Sequence, residues 1–299
     1  MGEYFVEGVD DAIILAGGMG TRMLPASLFM PKETLPLVDI PLINHLIWEA
    51  ARAGVSKIHL VLSSRKKDLL VDFLDNGSIH GNTIRPDLSR ESLSLGIDGL
   101  EVIPYIQQSA LGVADAISVV LEEISGPFLV LLGDNVLLSE HVSPDQSVID
   151  HASDCSQRLV SSYQKTGLPC VGIYEVESNE IGNYGVVDLA GDMVVGIVEK
   201  PEKGEAPSNY ILCGRYLLPH NSLAILEDFP VSEFGEMQSI FLLERLMDEG
   251  GLVSVKMDDL EMYDSGNPLS WLKSQIDHGL RRQDMGDDLE KWIRKRIGS

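Results

Sequence analysis

A chain of 299 residues with 44% hydrophobic and 23% charged residues can bury a large core, and it contains no apolar run long enough to span a bilayer. Its formal net charge of -23 repels nucleic acid and anionic lipid, so neither is expected as a partner; otherwise that charge means solubility or adaptation to salt. The same field repels a polyanionic substrate, so a phosphate-handling site must overturn it locally with Lys, Arg, backbone N–H groups and a divalent cation.

The segment Met1-Gly2-Glu3-Tyr4-Phe5-Val6-Glu7 is acidic and poor in apolar residues, unlike a secretory signal, which sets the expectation of a cytoplasmic protein. Residues 11–16 (DAIILA) read as a buried strand, and Gly17, Gly18, Met19 and Gly20 as the sharp loop that it feeds. Pro41 opens a helix with Leu42, Leu46, Ile47 and Ala50 on one face, and Gly54 ends it. A strand over 56–63 and a helix over 66–74 follow, then a long surface excursion over 76–99, rich in Gly, Ser, Asn and Asp.

Regular alternation resumes with a strand over 100–107, a helix over 111–124 and a strand over 128–132 that ends at Gly133-Asp134-Asn135. This β-α-β rhythm predicts a mostly parallel sheet with helices on both faces and ligands at the carboxyl ends of its strands. After residue 165 the strands read as shorter. Residues 185–189 and 193–199 form a hairpin about Ala190-Gly191-Asp192 within a smaller lobe. From Asn267 the pattern is helical, with Trp271, Leu272, Ile276, Leu289, Trp292 and Ile293 at helical spacings. The expected organisation is a nucleotide-binding half over 1–165, a sugar-phosphate-binding half over 166–266 and a helical tail over 267–299. Cys155, Cys170 and Cys213 have no metal-ligand spacing and read as free thiols, and the seven scattered histidines as structural.

The chemistry concentrates in the string from Leu15 to Pro25, LAGGMGTRMLP, followed by Pro31-Lys32-Glu33-Thr34-Leu35-Pro36. Glycines let main-chain N–H groups approach phosphate, Arg22 can fork onto its oxygens, and Lys32 acts as a point charge. A P-loop is excluded because no Gly-Lys-Ser/Thr ending follows. A dinucleotide fingerprint is excluded because Met23 stands where its last glycine is needed.

At this string the chain resembles the sugar nucleotidyltransferases, most closely the bacterial and archaeal UTP–glucose-1-phosphate uridylyltransferases. Further family-like segments recur in order: Gln107 with Leu111-Gly112, Leu132 to Asn135, Asn183 to Val186, and Val198-Glu199-Lys200-Pro201. Ser208-Asn209, Gly214-Arg215-Tyr216, Gly235 to Gln238 and Tyr263-Asp264-Ser265-Gly266 complete the series. The fold implied is α/β, a Rossmann-like mixed, mostly parallel sheet of the nucleotide-diphospho-sugar transferase type, with a smaller sugar-binding lobe and C-terminal helices.

By that resemblance Ala16, Gly17, Gly18, Gly20 and Thr21, with Gln107 and Gly112, hold the nucleotide, while Arg22 and Lys32 grip the triphosphate. Glu199 and the Gly185 backbone bind sugar hydroxyls, Lys200 the sugar phosphate, and Asp134 and Asp264 a magnesium ion (Mg2+). Arg22, Lys32 and Asp134 carry the catalysis. The reaction implied joins UTP and glucose 1-phosphate into UDP-glucose and pyrophosphate, in a homodimer or homotetramer. Gln107 offers an amide to a pyrimidine imide edge, and Gly112 leaves room beside it.

Each residue also has a plainer reading. Asp134 could cap the next segment, Glu199-Lys200 could be an exposed charged pair, and the apolar stripe of the tail could pack on its own subunit. It is the family order of the whole set that favours the functional reading. Thymidylyltransferase activity, another sugar 1-phosphate, or a silent nucleotide-sugar sensor remain as alternatives, whereas Val136 argues against the Asp-x-Asp metal motif of glycosyltransferases. Departures from the family pattern are Ser27 and Leu28 in place of Thr and Lys, and Ile240-Phe241 in place of a Thr-Asp pair.

Overall fold

The computed structural model describes residues 8–64, 97–108, 111–146, 149–227 and 239–298. The expected helix over 66–74, most of the excursion over 76–99 and the segment Gly235 to Gln238 lie outside the described residues.

Strand β1 (Asp11–Ala16) has no polar alternation because both of its faces are covered. Ala12, Ile14 and Ala16 pack into the core on one side of the sheet, and Ile13 and Leu15 into the core on the other. Two short antiparallel strands, β2 (Pro36–Leu37) and β3 (Ile40–Pro41), lead into helix α1 (Leu42–Arg52). Strands β4 (Lys57–Ser63), β5 (Glu101–Gln107) and β6 (Phe128–Leu132) join β1 in a parallel block.

The expected single helix over 111–124 is instead two pieces: α2 (Val113–Ser118) and a 3-10 turn over Leu121–Glu123. Gly112, at φ 106°, delays the start. β-Branched Val119 and Val120 disfavour continuation, and Val120, Leu121 and Ile124 bury against the sheet as the chain turns.

Strand β7 (Asn135–Leu138) leaves the main sheet, and α3 (Cys155–Thr166), not expected from the sequence, covers one face. Strands β8 (Cys170–Glu175), β9 (Gly185–Ala190), β10 (Met193–Glu199), β11 (Tyr210–Leu218) and β12 (Val253–Lys256) then extend the sheet. The resulting order is β5-β4-β1-β6-β11-β8-β12-β10-β9, with β11 antiparallel to both β6 and β8. The strands after residue 165 are therefore not uniformly short. With nine residues β11 is longer than any in the first half, and a register shift between Leu212 and Tyr216, where Gly214 takes φ 73°, blurs its pattern.

Helices α4 (Ser222–Glu227) and α5 (Ser239–Glu249) pack beside α2. Strand β13 (Glu261–Asp264) pairs with β7, and α6 (Pro268–Arg281) and α7 (Gly286–Ile297) close the chain. Asn267 caps α6 through the Leu269 and Ser270 N–H groups, ahead of Pro268 at its first turn. All three cysteines are free and buried. Among the described residues no helix is long and apolar enough to cross a membrane.

Helix α6 docks through a histidine cluster. His278 meets His141 at 3.0 Å between ring nitrogens, and His45 and Tyr263 pack edge-on to it. Burial pushes His45 down to about 4 and His278 down to about 3, each helped by its histidine neighbours. An unfolded chain takes up these protons near pH 6.5, well before the folded one does. The cluster's contribution is thus complete above pH 6.5 and is lost as pH falls toward about 4. Thermal melting between pH 7.5 and 5 should show a steeper loss for the native chain than for His45→Leu; parallel curves would refute this.

Candidate active site

Four parallel strands deliver their carboxyl ends to one edge of the sheet. Register pairs Ala16 with Leu62, Ser63 with Gln107, and Leu15 with Leu132, so Gly17, Gln107 and Gly133-Asp134 emerge side by side. Close packing here requires glycine at Gly133, where a Cβ would lie 2.4 Å from the Leu15 carbonyl oxygen.

The loop after β1 is built to bring cations back to this edge. Gly20 takes φ 62°, and Ser27 Oγ donates to its carbonyl at 2.8 Å, so the Ser that replaces the family Thr still ties the loop. A 3-10 turn over Thr21–Met23 exposes Thr21 and Arg22, and a second over Lys32–Thr34 carries Lys32 beside Gly18. Leu28 and Phe29 are exposed nearby, which leaves an apolar surface where the family pattern has a cation.

Lys32 Nζ donates to Asp134 Oδ2 at 2.7 Å. Burial alone would lower the Lys32 pKa, but Asp134, Glu33 and Asp264 outweigh it and hold the ammonium above its ordinary value. Burial likewise pushes Asp134 up, and Lys32, with a backbone hydrogen bond and Arg22, more than reverses that, leaving the carboxyl below its usual range. Asp264 is the register partner of Asn135, and both the N–H and the hydroxyl of Ser265 donate to the Asp134 carbonyl at 2.9 Å. Burial raises the Asp264 pKa, and the neighbouring Asp134 carboxylate adds to it. A Cβ on Gly266 would meet the Asp264 carboxylate at 2.8 Å and Arg22 Nη2 at 3.4 Å, which draws Arg22 into the same group.

Arg22, Lys32, Asp134 and Asp264 thus converge at one edge. Among the described residues no three His, Cys, Asp or Glu are arranged to hold a metal. Two carboxylates close enough that the charge of Asp134 helps to raise the pKa of Asp264 nevertheless suit a hard cation that takes its remaining oxygens from phosphate and water.

The sugar-side residues lie on the β9/β10 hairpin, where Glu199 is the register partner of Gly185. A Cβ on Gly185 would meet Glu199 Oε2 at 3.2 Å, Leu212 at 3.3 Å and Ile240 at 3.4 Å, so the departure at Ile240 packs directly on this position. Lys200 Nζ pairs with Glu199 Oε1 at 2.9 Å, both side chains exposed, and is not joined to Asp134 or Asp264 by any ion pair among the described residues. Its backbone takes φ 45°, uncommon for a residue other than glycine, and its N–H donates to the Tyr184 carbonyl at 3.0 Å. Tyr184, for which the sequence pattern carries no role, bridges the two regions. Burial, then Asp264, Glu180 and Asp134, push its hydroxyl up to about 12.

A buried network missed from the sequence backs the site. Arg215, fully buried, donates to both Glu49 carboxylate oxygens at 2.8 and 3.0 Å and to the Asn135 side chain at 2.8 Å. Glu49 lies on the buried face of α1, where an acidic residue within an apolar stripe was the signal available.

A protein family described as Nucleotidyl transferase matches residues 11–277. The chain belongs to this family. Among its relatives, the UTP–glucose-1-phosphate uridylyltransferase 2 of Staphylococcus saprophyticus is 31% identical over 297 residues, covering 96% of this chain and 98% of the relative. A solved structure of UTP-bound UGPase from Acinetobacter baumannii is 27% identical, covers 95% of this chain and 98% of that one, and has a TM-score of 0.79. A UDP-glucose pyrophosphorylase complexed with UDP-glucose is also 27% identical, covers 89% and 97%, and has a TM-score of 0.74. The α/β fold expected of a sugar nucleotidyltransferase is the one that these proteins share. Its sheet, however, is mixed rather than mostly parallel, because β11 and the tight β9/β10 hairpin add antiparallel pairings to the parallel block of β5, β4, β1 and β6.

Proposed function

We propose that this nucleotidyltransferase makes UDP-glucose and pyrophosphate from UTP and glucose 1-phosphate. The observation that supports this most is the meeting of Arg22, Lys32, Asp134 and Asp264 at one sheet edge, in a chain aligned over 95% of its length with a UTP-bound relative. The sugar phosphate attacks the α-phosphorus in line and pyrophosphate leaves; the nucleophile is already an anion, so little proton transfer is needed. Arg22 and Lys32 orient and neutralise the triphosphate, with Gly17, Gly18, Gly20 and Thr21 supplying close-approaching backbone. Glu199 and the Gly185 backbone hold sugar hydroxyls, and Lys200 the sugar phosphate. Asp134 and Asp264 would hold Mg2+, which supplies further positive charge on the phosphates.

Gln107 accepts from a pyrimidine base and Gly112 leaves space beside it, which favours UTP or, in a thymidylyltransferase reading, dTTP. A panel of triphosphates with glucose 1-phosphate, followed by pyrophosphate release, should show UTP ahead of ATP and GTP by at least about tenfold in kcat/KM. Preference for ATP or GTP over both UTP and dTTP would sink the base assignment. A silent sensor would have no use for the two cations and two carboxylates together.

The proposed setting is cytoplasmic, with the buried free thiols in keeping with a reducing compartment. The proposed assembly is a homodimer or homotetramer. Trp271 turns onto its own subunit, its indole N–H donating to the Pro36 carbonyl at 3.3 Å, whereas Leu269, Leu272, Ile276 and Leu280 leave an exposed stripe along α6. Light scattering should report at least a dimer, and a monomer at micromolar concentration would refute it.

A further inference from the structure

The amide of Gln107 carries two N–H donors on one side and a carbonyl oxygen on the other, so its orientation decides what it offers a base. Nε2 donates to Asp115 Oδ2 at 2.7 Å and to the Gly112 carbonyl at 3.2 Å. Both partners are acceptors with no proton to give. Turning the amide over would set Oε1 against two oxygens, and Gln107 is only 6% exposed, so water offers little relief. Oε1 is therefore held toward Gly17, where an added Cβ would come within 2.8 Å of it. Gly112 meets Gln107 from φ 106° and ψ -179°, a conformation essentially reserved for glycine, so this arrangement is written into the backbone as well.

We infer that Asp115 is a positioning residue for base selection: by fixing the Gln107 amide it makes Gln107 an acceptor only. Such a group takes the N3–H of uracil or thymine. It turns away cytosine, whose N3 is itself an acceptor. Asp115 acts through Gln107, and the inference rests on the proposed contact between Gln107 and the base. The plainer role for an acidic residue in the first turn of α2 is to stabilise the helix end. That role touches stability and leaves the choice between bases alone.

Asp115→Asn keeps the side-chain shape but can present either an oxygen or an N–H, which frees the Gln107 amide to flip. Pyrophosphate release by the full-length protein gives kcat/KM for UTP and CTP, with CTP also titrated as a competitive inhibitor. The UTP-over-CTP preference is expected to fall about tenfold, with KM for UTP raised and the melting temperature nearly unchanged. Gln107→Leu should lose the same preference, and adding Asp115→Asn to it should change the preference no further. If Gln107→Leu loses the preference while Asp115→Asn keeps it, the role of Asp115 is overturned and the base contact stands. If Gln107→Leu keeps it, the base contact fails and the role of Asp115 fails with it. Should Asp115→Asn not fold, Asp115→Ser removes the same carboxylate and is judged by the same ratio. Equal losses with UTP and CTP mean a structural role and overturn the inference.

Discussion

Asp134→Asn should lower turnover by roughly two orders of magnitude or more, the scale of one strong transition-state contact, while the protein remains folded. Asp134 meets Lys32 at 2.7 Å and neighbours Asp264, so the substitution removes a charge at the point where cations and carboxylates balance. Its shape is retained, and its backbone carbonyl still accepts from Ser265. Asp264→Asn should have an effect of similar size through the other carboxylate. Calorimetric titration with Mg2+ and UTP should show weakened metal-dependent binding in both variants. Near-normal turnover in either one would remove the carboxylate pair from the site.

Arg215→Met should destabilise the fold by about 3–5 kcal/mol, because it strands the buried Glu49 carboxylate without its partner. Ser156 Oγ, at 2.5 Å from Glu49, remains as a donor but brings no positive charge. The measurement is the denaturant midpoint at unchanged slope. The double variant Glu49→Leu/Arg215→Met should regain part of the loss, since an apolar pair avoids the desolvation of two ions. Arg215 also holds Asn135, the residue after Asp134, so kcat should fall in any Arg215 variant that still folds. A variant as stable and active as the native chain would show that the network is dispensable.

Elements with strong local signals were legible in the sequence. The strand over 128–132 and the hairpin about Gly191 lie where the pattern put them, because apolar runs bounded by turn residues report burial directly. The helix over 111–124 was misread, since its apolar spacing suited either a continuous helix or a buried turn, and only the sheet beneath favoured the latter. Strand β11 is legible only at Gly214-Arg215-Tyr216, because its bulge interrupts the alternation. Asp115 carried no separate signal. Its importance comes from the side chain that it faces across the end of β5.

By itself the sequence determined the parallel β-α-β block, the glycine loop with its two cations and the helical character of the C-terminal segment, because each depends on residues within a few turns of chain. The tertiary structure decided which distant groups meet. Lys32 reaches Asp134 across 102 residues and Arg215 reaches Glu49 across 166, and both pairings depend on strand order and register. The same order decided which half of the Gln107 amide faces Gly17, since Asp115 and Gly112 occupy its donor side only once α2 lies against the edge of the sheet. Local propensity says nothing of strand order, which is selected by the simultaneous burial of both sheet faces.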